Sequence, residues 1–210
     1  MAIEILDLAV LKRAQLSQRP YPYFIARDFV RAPAIQEVQE SFPEIRKTGF
    51  HPADDMALSG AFGRLIEELK GEEVSGALSE VFGIDFNALP RFITIRKVSA
   101  AHEGRIHCDS ESKVMSLLLY LNDAWSSPEG RLRVLNGPDD FDDYTAEIDP
   151  KTGTVFAFLR KDDSWHGHKP FVGERKVVQV AWLRNADEAA RKTSRHRMSN
   201  VLKGIFARQH

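Results

Sequence analysis

Apolar residues recur at helical spacing through the first ninety residues of the chain. Ile35, Val38 and Phe42 lie three or four positions apart, and Pro33 before them suits a first helical turn. Two later segments repeat this spacing: Phe62, Leu65, Ile66 and Leu69, then Val74, Leu78, Val81 and Phe82. Gly83 follows them and is a typical helix stop. The pattern predicts that residues 1–90 are mostly helical, with one short strand at 23–26.

The pattern changes at Pro90, beyond which short β-type runs are separated by polar residues or by Gly and Pro. The runs cover residues 92–98, 105–108, 114–122, 131–135, 144–148, 154–159 and 176–183. A short strand around His166 brings the predicted count to eight. Eight short strands without helices between them are typical of a jelly roll or a sandwich, and they argue against a parallel α/β sheet.

The last part of the chain turns helical again and is basic. Its apolar stripe consists of Met198, Val201, Leu202, Ile205 and Phe206. Residues 189–210 contain six Lys or Arg and no acidic residue. We expect an amphipathic helix over 185–210 whose stripe packs on the domain or in a homodimer. The chain is thus predicted to form one α+β domain over 1–210, with helical support over 1–90, a β core over 91–184 and this C-terminal helix.

Composition narrows the class of protein. The 210 residues are enough for one domain with a real core and short for two. The formal net charge of −1 lacks the basic excess of nucleic-acid binders, so no nucleic-acid partner is expected. A single cysteine, Cys108, excludes an intrachain disulfide and a Cys-rich metal site. The longest wholly apolar runs have five residues, whereas a membrane span needs about 20, so we expect a cytoplasmic protein without a span.

The most informative segment for chemistry runs from Gly104 to Asp109. Alternate residues of a strand share a face, so His107 and Asp109 are predicted to point the same way and Cys108 the other way. An imidazole and a carboxylate side by side are two thirds of a facial triad, which holds Fe(II) on one face and leaves the opposite positions open. The spacing therefore predicts a metal site that needs one more ligand.

Residues 164–175 offer that ligand together with a cation. His166 and His168 lie in a turn-like segment, and Arg175 follows nine residues after His166. A guanidinium binds a carboxylate through a planar pair of hydrogen bonds. The chain thus has the side chains needed to bind iron together with an anionic cosubstrate: two histidines, one aspartate and one arginine.

With these motifs the chain resembles the Fe(II)/2-oxoglutarate-dependent oxygenases, in the prolyl 4-hydroxylase-like branch. The matching segments are His-x-Asp at 107–109, Leu-Leu-Tyr-Leu-Asn at 118–122, Gly-Arg-Leu-Arg at 130–133, Gly-Thr-Val-Phe-Ala-Phe at 153–158, and residues 166–175. Their order and spacing fit along residues 92–183, and residues 20–30 look like the lead-in of this family to its helices. The resemblance implies a double-stranded β-helix, the jelly roll that cupins also adopt, with helices buttressing the sheet.

The same resemblance implies roles for individual residues. His107, Asp109 and His166 would be the catalytic iron ligands, and Arg175 with Tyr120 would bind the distal carboxylate of 2-oxoglutarate. The implied activity is hydroxylation of a C–H bond with O2, which gives succinate and CO2, and ascorbate is an expected reductant. The substrate would be a peptide, with peptidyl proline the most familiar case, or a small molecule.

Three points leave alternatives open. His168 could replace His166 as ligand, although the nine-residue gap to Arg175 favours His166. Relatives often carry a tyrosine on the strand before the first histidine, whereas this chain has Ile-Arg-Lys at 95–97, so a cosubstrate contact from Arg96 or Lys97 is open. A cupin-like metal-binding isomerase or sugar-binding module would keep the histidines without needing Arg175.

Overall fold

Within the described residues, the helices lie in the first half of the chain at the predicted apolar segments, but they cover less than half of residues 4–90, so the prediction that this part is mostly helical is wrong. A computed structural model describes residues 4–188. Its α-helices, α1 to α4, are Leu8–Lys12, Ile35–Glu40, Gly60–Lys70 and Glu72–Phe82. Helix α4 ends at Gly83, whose φ of 68° is the left-handed conformation that glycine adopts without cost. One face of α3 is wholly apolar and buried, so this helix is held by packing on the sheet.

The strands reproduce most of the predicted β runs. Strands β1 to β9 are Tyr23–Ala26, His51–Pro52, Arg91–Ser99, Lys113–Tyr120, Leu132–Leu135, Tyr144–Ile148, Val155–Leu159, His166–Gly167 and Gly173–Leu183. The short strand at 23–26 and the one at His166 are both present. Strand β2 was not predicted, because two residues that include a proline carry no alternating pattern.

The predicted strand at 105–108 is wrong. This segment makes one isolated antiparallel bridge, between His107 and His166, and otherwise leaves the ladder. Its backbone turns at Gly104, whose φ of 82° does not belong to a strand. The segment therefore crosses the end of the barrel as a loop that is held at a single pair of residues.

Two antiparallel sheets form the core. The larger has six strands in the order β1-β7-β4-β9-β3-β2, and the smaller has three in the order β6-β5-β8. Non-consecutive strands lie side by side in both sheets, which is the arrangement of a jelly roll rather than a meander. The α+β prediction with a double-stranded β-helix core is confirmed by this topology and by the structural comparisons below.

The larger sheet is buried on both faces, and each face has its own role. Alternate residues of β4 and β9, such as Leu117 and Val180, belong to one hydrophobic cluster with the buried residues of α3 and α4. Trp182 belongs to this face, and its indole Nε1 donates to Ser75 Oγ of α4 at 3.1 Å. The opposite face, with Leu118, Tyr120 and Val177 among others, packs against the smaller sheet. The helices thus stiffen one face and leave the other to line a site.

The C-terminal prediction falls almost wholly outside the described residues. The helix expected over 185–210, its apolar stripe and its proposed homodimer contact lie there from residue 189 onward. Within residues 4–188, no helix has the length and apolar character that crossing a bilayer requires.

Candidate active site

Three ligand-type side chains meet at one end of the barrel. His107 and Asp109 lie in the loop between β3 and β4, and His166 begins β8. Two backbone hydrogen bonds of 3.0 Å pair His107 with His166, so the two elements are fixed against each other. One ligand atom from each of the three side chains lies within 4.8 Å of the others. The structure therefore brings together the three residues that the sequence singled out.

The hydrogen bonds of the two imidazoles fix which ring nitrogen faces the cluster. His107 Nδ1 lies 2.8 Å from the carbonyl oxygen of Arg105, and His166 Nδ1 lies 2.9 Å from that of Ser164. A carbonyl only accepts, so each Nδ1 carries the proton and donates. Each Nε2 is then left with a lone pair. This is the tautomer that metal-binding histidines adopt when a backbone carbonyl orients them.

Asp109 is ionised and anchored. Burial alone would raise the pKa of its carboxyl, but the nearby Lys113 and His166 and hydrogen bonds from Lys113 and Ser116 hold that pKa well below its usual range. Lys113 Nζ donates to Oδ1 at 2.7 Å, and Ser116 Oγ donates to Oδ2 at 2.6 Å. Burial also lowers the pKa of His166 to about 4. At neutral pH this carboxylate and this imidazole are thus already in the protonation states that metal binding requires.

Arg175 is a fully buried cation that faces the same cavity. Its Nε donates to the carbonyl oxygen of Gly130 at 2.9 Å, and its Nη2 lies 3.5 Å from the hydroxyl of Tyr120. Among the ion pairs of the described residues, none involves Arg175. A buried guanidinium without a carboxylate partner is costly, so the site is suited to an anionic ligand. Burial raises the pKa of Tyr120, which keeps its hydroxyl protonated as a potential donor.

A single cavity of about 230 Å³ joins the two groups. Both sheets line it, with Leu118 from the larger and Leu132 from the smaller, and so do the three ligand-type residues and Arg175. An open-faced cluster of two imidazoles and one carboxylate suits Fe(II), and the uncompensated guanidinium suits the far carboxylate of a dicarboxylic acid. The residues present therefore fit both Fe(II) and 2-oxoglutarate.

His168 also lines this cavity, beyond the metal-type cluster. Its ring packs against Gly104, where a Cβ atom would come within 2.3 Å of the imidazole. Gly167 is equally constrained, since a Cβ there would lie 2.8 Å from the carbonyl oxygen of Gly104. Burial, and then the charge of Arg175, lower the pKa of His168 to about 3. Within the described residues, the metal-type cluster includes His166 and not His168.

Two residues that support the site were not predicted as part of it. Lys113 and Ser116 hold the carboxylate of Asp109 from β4. Ser116 shares its strand face with Tyr120, so parity could have placed it near the cavity. Lys113 begins β4 four positions after Asp109, and the turn between them brings its ammonium group back to that carboxylate.

Arg96 and Lys97 of β3 are the two residues for which the sequence left a cosubstrate contact open. Arg96 lines the cavity, whereas its neighbour Lys97 lies in an ion pair of 2.8 Å with Glu44. Burial, and then repulsion from Arg175, lower the pKa of Arg96 to about 10, so it stays charged at neutral pH. Of the two residues left open by the sequence, Arg96 is the one at the cavity.

Comparison with protein families agrees with this geometry. Residues 94–184 match the family described as the 2OG-Fe(II) oxygenase superfamily. This range contains all three ligand-type residues together with Tyr120 and Arg175. A comparison with curated sequences gave no match.

Solved structures of prolyl hydroxylases share the fold. A Pseudomonas putida prolyl-4-hydroxylase matches 85% of this chain and 94% of its own, with 17% identity and a TM-score of 0.57. A Phytophthora capsici prolyl 4-hydroxylase matches 80% of this chain and 60% of its own, with 19% identity and a TM-score of 0.55. A Trichoplax adhaerens prolyl hydroxylase, in complex with a hypoxia inducible factor peptide fragment, matches 80% of this chain and 86% of its own, with 17% identity and a TM-score of 0.52.

The fold and the cluster together define a jelly roll with a metal-type site at one end. Over residues 94–184, somewhat less than half of its length, the chain matches the 2OG-Fe(II) oxygenase superfamily, and this match together with the cluster supports an Fe(II)- and 2-oxoglutarate-dependent dioxygenase. The cupin-like isomerase or sugar-binding module is not supported by this match. The buried Arg175, which such a module would not need, argues against it as well.

Proposed function

We propose that His107, Asp109 and His166 hold Fe(II), and that Arg175 and Tyr120 bind the distal carboxylate of 2-oxoglutarate. The observation that carries this proposal is the cavity that joins the metal-type cluster to a buried guanidinium lacking a carboxylate partner. Iron bound there, with 2-oxoglutarate and O2, supplies the oxidising power that hydroxylates a substrate C–H bond and releases succinate and CO2.

The protein contributes geometry and a dry site. The backbone carbonyls of Arg105 and Ser164 orient the imidazoles, and Lys113 and Ser116 orient the carboxylate. Arg175 is itself held by Gly130, so its fork is aimed before the cosubstrate arrives. Such preorganisation lowers the entropic cost of binding.

Other parts of the proposal rest on the sequence and on the family. A peptidyl residue, prolyl among them, or a small molecule is the proposed substrate. The Trichoplax adhaerens relative is in complex with a peptide, which supports the first of these two classes. Ascorbate as reductant, a cytoplasmic location and a homodimer through the C-terminal helix stay predictions.

Replacement of Tyr120 with phenylalanine should weaken 2-oxoglutarate binding about twofold to tenfold. The change removes one neutral hydrogen-bond donor, which is worth about 0.5–1.5 kcal/mol. The measurement is calorimetric titration of 2-oxoglutarate into oxygen-free protein loaded with Mn(II), a redox-silent substitute for Fe(II).

Tyr21→Phe is a matched control for that titration. Tyr21 is another buried tyrosine of the cluster between the sheets, but its hydroxyl donates to the carbonyl oxygen of Trp165 at 3.0 Å. This variant should bind 2-oxoglutarate as the wild-type protein does. Equal affinities for all three proteins would contradict the assignment of Tyr120.

A further inference from the structure

Two buried polar atoms in the cavity have no hydrogen-bond partner among the described residues. They are Nε of Arg96 and Nε2 of His168. Arg96 is 8% exposed and His168 is 3% exposed, so bulk water has little access to either side chain to replace the missing hydrogen bond. Six buried side-chain atoms of the described residues lack a partner, and these are the two whose residues line this cavity. Because an unpartnered buried polar atom is costly, the pair indicates a ligand there. Neither atom belongs to the three-residue metal-type cluster.

The two atoms have complementary chemistry. His168 Nδ1 donates to the carbonyl oxygen of Lys169 at 2.9 Å, so its Nε2 carries a lone pair and accepts. Arg96 is a donor and a cation. Its guanidinium stacks on the ring of Phe50 at 4.0 Å, which fixes its plane. A ligand with a carboxylate and a nearby hydroxyl or amide N–H would satisfy both atoms.

Arg96 is poorly satisfied by its own ion pair. Its Nη2 lies 3.6 Å from Oε1 of Glu103, which is longer than a good hydrogen bond. The other oxygen of Glu103 accepts from the backbone N–H of Ala100 at 3.0 Å. Glu103 is thus held mainly by the loop, and it balances the charge of Arg96 without occupying its Nε.

Arg96 faces the same cavity as the proposed 2-oxoglutarate contacts, but it does so from a different strand. Arg96 of β3 and Tyr120 of β4 are both paired in register with Val177, from opposite sides of β9. Arg175 and the iron already give each carboxylate of 2-oxoglutarate a partner. Arg96 lies instead toward β2 and Phe50, at the edge of the sheet. It is therefore placed to meet a second molecule.

The charges around the cavity favour an anion as that second molecule. Lys113 is balanced by Asp109 and Arg96 by Glu103, while Fe(II) and doubly charged 2-oxoglutarate cancel. The cavity as a whole then keeps one net positive charge, since Arg175 has no acidic partner of its own, and a singly charged substrate would balance it. The cavity of about 230 Å³ is also below the roughly 300–1,000 Å³ usual for ligand pockets, and it must hold the cosubstrate as well. The part of a substrate that enters beside the cosubstrate is therefore small.

We propose that Arg96 and His168 form a substrate subsite for a small carboxylate that carries a hydroxyl or amide N–H donor. The carboxylate accepts from the guanidinium of Arg96, and the donor binds Nε2 of His168. This inference rests on the proposed function and favours the small-molecule class over a peptidyl proline, because an internal prolyl residue offers no carboxylate to Arg96.

The test uses simple probes on the oxygen-free protein with Mn(II) and saturating 2-oxoglutarate. The probes are two pairs, lactate with lactamide and N-acetylglycine with N-acetylglycinamide, which separate the hydroxyl from the amide donor. The readout is the relaxation of probe protons by Mn(II), because it reports a probe beside the metal without any turnover. We expect at least one acid to bind about tenfold more tightly than its amide.

The variants separate Arg96 from its surroundings. Arg96→Gln alone leaves Glu103 buried without its cation, so the double variant Arg96→Gln/Glu103→Gln keeps the charge balance. This double variant should lose the preference for the acid, and Arg96→Lys should keep part of it. The control is Lys97→Gln, one position along β3, whose ion pair with Glu44 lies outside the cavity. It should retain the wild-type preference.

Two results would overturn the subsite. One is wild-type protein that shows no preference for either acid, whether both members of a pair bind or neither does. The other is a double variant with an undiminished preference. Titration of 2-oxoglutarate before the probes are added distinguishes failure of the subsite from failure of the proposed function. If 2-oxoglutarate binds and the acids are not preferred, only the subsite is wrong. If 2-oxoglutarate itself does not bind, the proposed function is wrong and the subsite falls with it.

Discussion

Replacement of Arg175 with alanine should raise the dissociation constant of 2-oxoglutarate about tenfold to a hundredfold or more. A charge-assisted hydrogen bond is worth about 1.5–3 kcal/mol, and about 1.4 kcal/mol is a factor of ten in binding. Arg175→Lys should bind 2-oxoglutarate with an affinity between those of the wild type and Arg175→Ala, because an ammonium group keeps the charge and loses the planar pair of hydrogen bonds. The affinity for Mn(II) should barely move, since Arg175 is not among the metal-type residues.

The measurement is titration of 2-oxoglutarate into oxygen-free, Mn(II)-loaded protein. Lys176→Gln is the matched control, since Lys176 is the next residue of β9 and its ammonium pairs with Glu174 at 2.9 Å. This control should bind 2-oxoglutarate like the wild type. Wild-type affinity in Arg175→Ala would show that the cosubstrate is held elsewhere, and the assignment of Arg175 would be wrong.

Loss of any one proposed metal ligand should weaken Mn(II) binding by more than about a hundredfold. Replacing residues that merely support a ligand typically costs about 10–100-fold, and removing a ligand itself should cost more. The variants are His107→Ala, His166→Ala and Asp109→Asn. Asparagine is preferred at 109 because it keeps the side-chain volume beside the buried Lys113. Calorimetric titration gives the affinities, and melting curves show that each variant is folded.

His168→Ala is the control for the metal titration. It removes an imidazole that lies in the same cavity but outside the metal-type cluster. Its loss of Mn(II) affinity should be much smaller than that of His166→Ala. A larger loss in His168→Ala would make His168 the third ligand, which the sequence alone leaves open.

The strand pattern predicted the core of the site because side chains alternate across a sheet. The period of two placed Tyr120 and Leu118 on one face of β4, and that face lines the cavity side of the larger sheet. The last β run likewise ends at Leu183, as predicted. Strand β9 begins at Gly173 and not at Lys176 as predicted, so Arg175 lies inside the strand. The pairing of β9 with β3 therefore fixes the direction of the Arg175 side chain.

Other parts of the site depend on contacts that no local pattern encodes. His107 and Asp109 were predicted to share a face of a strand, yet they lie in a loop. Their side chains converge because one bridge to His166 and the bonds to Lys113 and Ser116 orient them. The bonds from Lys113 and Ser116 join residues four and seven positions apart, whereas the bridge joins residues about sixty positions apart and exists only once the fold has formed.

The role of Arg96 was also beyond the sequence. Parity within β3 does not distinguish Arg96 from Lys97 reliably here, because the register of β3 against β9 shifts between Arg96 and Val98. A bulge of this kind reverses the faces of the residues that follow it. Only the structure shows that Arg96 lines the cavity and that Lys97 pairs with Glu44.

Formation of succinate from 2-oxoglutarate by the purified protein tests the assignment of Fe(II) and 2-oxoglutarate most directly. With Fe(II), O2 and 2-oxoglutarate, the wild-type protein should release succinate slowly even without a substrate. Omission of iron, addition of a chelator or the Asp109→Asn change should each abolish that release. Succinate formed at the same rate by wild type and Asp109→Asn, or no succinate from folded, Fe(II)-loaded wild type, would contradict the proposed site.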